Sequence, residues 1–175
     1  MLFPGGPLPL RVFEPRYLDM ISRCMKDDVP FGVLLIRDGA ETGPATTYDV
    51  GTLARVVDWY QGSDGILGVT AVGEQRFRLL TAERQHDGLN VGDVSLLPNI
   101  EPVPMPAGHQ ATVDILANVM DELGLLYEGL ERRSDDAAWV VYRLAEILPI
   151  GLERKQEYLE SEELSACLDY LETLI

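Results

Sequence analysis

Lysine is nearly absent from this chain. Lys26 and Lys155 are the only two in 175 residues, against 29 acidic side chains and a formal net charge of −15. Affinity for nucleic acid rests largely on lysine and arginine neutralising phosphates, so a polyanion meets a repulsive field here. Cysteine is as scarce. Cys24 and Cys167 stand far apart in apolar surroundings, with no CxxC and no Cys/His cluster. They read as buried thiols in a reducing, cytoplasmic compartment, and no structural zinc motif is visible. No apolar run approaches the roughly 18–20 residues of a membrane-spanning helix, and no basic stretch leads into an apolar one as in a secretory leader. There is no Gly-Lys pair, hence no phosphate-binding P-loop, and no GxSxG elbow. The two histidines, His86 and His109, have no serine or cysteine nucleophile signature beside them. On these absences no catalytic residue, cofactor site or metal ligand is assigned, and the chain reads as a non-enzyme.

A composition of 46% hydrophobic and 25% charged residues is that of a globular protein. The charge is unevenly spread. Residues 1–100 carry 13 acidic and 9 basic side chains, a balance of −4, and residues 101–175 carry 16 and 5, a balance of −11. The acidic runs KDD (26–28), SDD (134–136) and ESEE (160–163) fall at expected helix boundaries. There carboxylates favour the helix dipole and solvation over a cation.

The charge asymmetry coincides with a change in pattern. Helical spacing of Leu18, Ile21 and Met25 behind Pro15 predicts one early helix over about 15–26. From Phe31 to Pro98 the chain reads as short strands with turn punctuation. FGVLLI (31–36) is stopped by RDGAETGP, GTLARVVDWY (51–60) places Leu53, Arg55, Val57 and Trp59 on one side, and QGSDG (61–65) is a turn. ILGVTAVGEQRFRLL (66–80) has Gly68 and Gly73 inside it, the mark of a bulge or sharp bend, and LNVGDVSLL (89–97) is the next strand. The segment 98–109 holds four of the eleven prolines and reads as an extended linker, centred on 101–108. It separates a β-rich lobe, 1–100, from a helical lobe, 109–175. In the latter, helices are expected over 109–123, from an N-cap at Ser134 up to Pro149, over 152–160, and from 162 onward. The last carries a stripe of Leu164, Cys167, Leu168, Leu171 and Ile175.

The opening, MLFPGGPLPLRVFEPRYLDMI (1–21), sets two glycines between prolines. A phosphate cradle needs successive backbone N–H groups, and three of the seven residues in FPGGPLP have none. LRVF then has strand character before the helix begins. The glycines therefore read as a structural turn or a close backbone approach.

These residues resemble the opening of the Lon N-terminal (LON substrate-binding) family, with its LFPG, strand, F-E-x-R-Y and helix. The resemblance continues through FGVLLI, VGTLARVVD and VTAVGEQRFRLL, and through WVVYRLAEILPIGLERKQEYLE, similar to the family's R-x-A-E-x-L-P stretch. It implies an α+β fold, a PUA-like β pseudobarrel followed by a C-terminal helical bundle lobe. It also implies a free-standing, non-catalytic polypeptide-binding or adaptor module lacking the ATPase and protease domains of full Lon proteases. The implied partners are unfolded or client polypeptides and a protease, with a homo-oligomer left open. Family members place a further strand, LPLFPL, ahead of this start; its absence here would leave a barrel edge unpaired. Candidate contact residues near the opening turn and strand edges are Phe13, Arg16, Tyr17, Trp59 and Tyr60. The plainer expectation is that Phe13, Tyr17 and Trp59 are core and that Arg16 pairs with a carboxylate. Two further readings stand beside this one. RNA binding follows from the PUA-like fold and is disfavoured by the charge of −15, and a hydrolase would need His86 or His109 to meet a carboxylate and a nucleophile.

Overall fold

The computed structural model describes residues 1–41 and 45–175. Among the described residues the fold is α+β, a five-stranded and a two-stranded antiparallel sheet with five α-helices. The chain divides into two compact units: one of Leu2 and Pro7–Pro98, the other of Met1, Phe3–Gly6 and Asn99–Ile175.

In the first unit β1 (Pro7–Val12) leads into α1 (Pro15–Asp27), with proline in the first helical turn, where the missing N–H is harmless. The helix ends at Asp28, the one non-glycine residue with positive φ among those described. The larger sheet has the order β1, β6 (Leu67–Arg84), β5 (Val50–Gln61), β2 (Phe31–Val33), and β7 (Asn90–Leu96) pairs with β6. β5 and β6 form the central hairpin, and β6 outlasts β5 to pair with β7. Leu2, Val12, Ile21, Cys24, Phe31, Ala54, Val69 and Ala71 make the core that α1 closes. β1 lies at one end of the strand order, and its Pro7 and Pro9 reduce the donors it can offer another strand.

Three expectations are corrected. FGVLLI is not one strand: β2 (Phe31–Val33) pairs with β5, the chain breaks at Leu34–Leu35, and β3 (Ile36–Gly39) pairs instead with β4 (Ala45–Thr47). Arg37, Asp38 and Gly39, read as part of a stop, are therefore strand residues, while 42–44 lie outside the described residues. Strict alternation in β5 also fails. The register shifts between Thr52 and Ala54 and again between Val56 and Asp58, so that Trp59 pairs with the buried Val69. Paired residues share a face. A bulge moves every later side chain to the opposite face, and Trp59 leaves the side of Arg55.

In the second unit α3 (Ala137–Ile147) is buried over its first nine residues and packs against α2 (Gln110–Glu122), α4 (Leu152–Glu160) and α5 (Ser165–Glu172). Each fully buried valine or leucine there contributes about 1.5–3 kcal/mol. Leu164, Leu168 and Leu171 are buried as the stripe predicts, whereas Ile175 is exposed and Cys167 only partly covered. The third correction is the cap of α3. Asp136, not Ser134, occupies that position, and its Oδ1 accepts the N–H of Ala138 at 3.0 Å and that of Val103 at 3.2 Å. Two residues in a tight pre-helical turn decide which carboxylate or hydroxyl reaches the first-turn amides.

Candidate functional site

The glycine pair is explained by what lies beneath it. Arg143, on α3, is wholly buried and donates from Nη2 to the carbonyl of Pro4 at 3.1 Å. Its Nε lies 3.3 Å from Glu146 Oε2, which also accepts the hydroxyl of Tyr127 at 3.1 Å. Gly5 has φ +72°, in the left-handed region that favours glycine. At Gly6 a Cβ would collide with Glu146 Oε1 and would sit 2.7 Å from Arg143 Nη2. The turn is thus glycine because its backbone lies on a buried ion pair. Burial pushes the Glu146 carboxyl up, opposed by the Arg143 charge, and pushes the Tyr127 phenol up as well. The opening turn and the R-x-A-E stretch, nearly 140 residues apart, are two halves of one packing arrangement.

A second group of residues lies at the end of the sheet where β1 stops, β5 stops and β6 starts. Val12, Leu67 and Gln61 pair in one row there. Phe13, directly after β1, is 67% exposed; Trp59 and Tyr60, near the end of β5, are each 56% exposed, and Val57 at the bulge is 58% exposed. Tyr60 lies over the backbone of Gly68, where a Cβ would strike its ring. Arg11, in the same row as Gly68, pairs with Asp64 of the β5–β6 turn.

Of the five residues nominated from sequence, Phe13, Trp59 and Tyr60 share this sheet end and are exposed. Arg16 is buried. Its Nε donates to Glu14 at 2.8 Å and its Nη1 to the carbonyl of Gly88 at 2.6 Å, which holds the turn between β6 and β7. Tyr17 is half-buried against the β core beneath the Arg16 guanidinium, 4.4 Å from its centroid. Its phenol is pushed up to about 12, by burial first and then by Glu41. Val57 was missed; only the bulge singles it out, and its nonpolar side chain carries no motif. Of the histidines, His86 is exposed in the β6–β7 turn. His109 meets carboxylates, and the hydroxyl beside it, on Thr112, donates to Glu172 rather than to the ring.

The family model for the ATP-dependent protease La (LON) substrate-binding domain matches residues 1–175. The chain belongs to the LON substrate-binding domain family. Over 173 residues, 95% of the chain, it is 27% identical to a Lon protease of Anaeromyxobacter dehalogenans, of which it covers 20%. It is 34% identical over 109 residues to protein cereblon of Xenopus tropicalis, covering 60% of the chain and 24% of that protein. The chain thus spans about a fifth to a quarter of the length of these relatives. Among solved structures, a Lon N-terminal domain protein from Xanthomonas campestris superposes with a TM-score of 0.75 at 33% identity, over 100% of this chain and 93% of that one. The N-terminal domain of a Mycobacterium avium complex Lon protease, 14% identical with a TM-score of 0.61, shares the fold. The LON family thus supplies the fold in which the buried Arg143–Glu146 pair and the aromatic sheet end are set.

Proposed function

We propose that this chain is a non-catalytic module that binds extended, apolar segments of client polypeptides at the sheet end carrying Phe13, Val57, Trp59 and Tyr60, and that it works beside a protease. The observation that carries the reading is that three aromatic residues, each more than half exposed, lie at the one end of the sheet where β1 and β5 stop and β6 starts. Exposed aromatics that gather in one place are the usual anchors of protein recognition. The family name, a substrate-binding domain, points the same way. Arg16 and Tyr17 are not part of this exposed surface: the first holds the β6–β7 turn and the second packs on the core.

The test is a titration of a chemically unfolded model polypeptide against the protein and against a Phe13→Ala/Trp59→Ala double variant, which leaves Tyr60 over Gly68. The double variant should raise Kd about tenfold or more, a loss of about 1.4 kcal/mol, with its melting temperature within a few degrees of the parent. Equal binding by both proteins would remove this surface from the reading, and no binding by either would remove the function.

A further inference from the structure

The helical unit assembles a group that none of the acidic runs in the sequence contains. His109 immediately precedes α2, and Asp169 and Glu172 stand one turn apart on α5. Each of the three brings one ligand atom within 4.8 Å of the others. We propose that His109, Asp169 and Glu172 bind one divalent transition-metal ion of the zinc, cobalt and nickel class.

The donor set is one imidazole and two carboxylates, which suits borderline cations rather than the all-oxygen shells of calcium and magnesium. Ligands at 2.0–2.1 Å from a tetrahedral ion lie about 3.3 Å from one another. The imidazole offers an ion one of its two nitrogens, and with one ligand atom taken from each residue the three lie within 4.8 Å of one another, close enough for small side-chain adjustments to reach that spacing. Charge favours a cation as well. Among the described residues neither carboxylate pairs with a lysine or arginine, and residues 101–175 carry a balance of −11. Two carboxylates three residues apart on one helix repel each other, and a shared ion relieves this. The group is also held in place. Thr112, buried in the first turn of α2, donates its hydroxyl to Glu172, and the His109 ring is mostly covered. Asp169, 85% exposed, leaves one side open for entry and for water to complete the shell. A bound ion would clamp the start of α2 to α5.

The experiment is to strip the whole chain with chelator, titrate it with Co2+ by visible absorption, and repeat with Zn2+ by calorimetry. One equivalent should bind, magnesium should not displace it, and Zn2+ should raise the melting temperature. Asp169→Asn and His109→Gln should each weaken binding about tenfold or more, the scale of even outer-shell changes. Asp169→Asn is a surface change, so its metal-free melting temperature should match the parent while the zinc-induced rise is lost. The absence of stoichiometric binding, which leaves a plain His109–Glu172 hydrogen bond, would overturn the proposal. So would binding that survives both substitutions, or a cobalt–thiolate band that disappears with Cys167→Ser.

Discussion

Arg143 is the residue on which the opening turn rests, and its energetics follow from its burial. Removing one partner of a buried ion pair leaves the other charge without compensation, at a cost of about 3–5 kcal/mol. Arg143→Met should therefore destabilise the protein on that scale in urea unfolding. Arg143→Met/Glu146→Leu should be markedly less harmful, since no charge is then stranded. The carboxylates of Glu146 and Glu172 differ in sign with pH. Burial raises the Glu146 pKa, so its contribution to stability is full below the unfolded value and is lost as pH rises through the folded one. Hydrogen bonds from Thr112 and His109 lower that of Glu172. Its contribution is full above the unfolded value of about 4.3 and is lost as pH falls through the folded value. Glu172→Gln should lower the melting temperature at pH 7 and flatten its decline between pH 5 and pH 3, measured by thermal melts across that range.

Helix and strand boundaries are set by particular local contacts, and α3 shows how. Asp136→Ala removes a cap from α3 and an acceptor from Val103. The expected destabilisation is about 1–2 kcal/mol, whereas Ser134→Ala should stay within about 0.5 kcal/mol; denaturant midpoints of the two variants check this. Serine and aspartate are comparable caps, so the residues Ser134, Asp135 and Asp136 cannot be ranked until the turn is seen. The β5 strand teaches the same lesson. Its composition and length were legible, and so was the turn at QGSDG. The two register shifts were not, because a bulge is a matter of pairing with β6 rather than of residue type. For that reason the face that Trp59 takes could not be read from alternation, and its exposure goes with its place near the end of β5.

For the whole molecule, the net charge of −15 should dominate encounters with polyanions. No RNA shift is expected in a native gel even at low salt, where phosphate contacts are strongest; a salt-dependent shift would contradict this. Much of the architecture was legible: the β-rich and helical portions, the early helix behind Pro15, and the family signature at both ends. What was hidden was the company the residues keep. The turn Phe3–Gly6 belongs with the helices, though it sits at the other end of the chain. His109, Asp169 and Glu172 carry no motif spacing, since two of them lie about 60 residues from the third.

The sequence by itself determined the class of fold, the family, and the charge that repels polyanions. Each follows from local pattern and composition, and these survive without knowledge of long-range contacts. Only the tertiary structure decided why the opening glycines are glycines, which aromatics face outward, and which histidine meets two carboxylates. Those depend on backbone approach, strand register and helix packing between residues far apart in the chain. Free energy there is set by distances that no local pattern encodes.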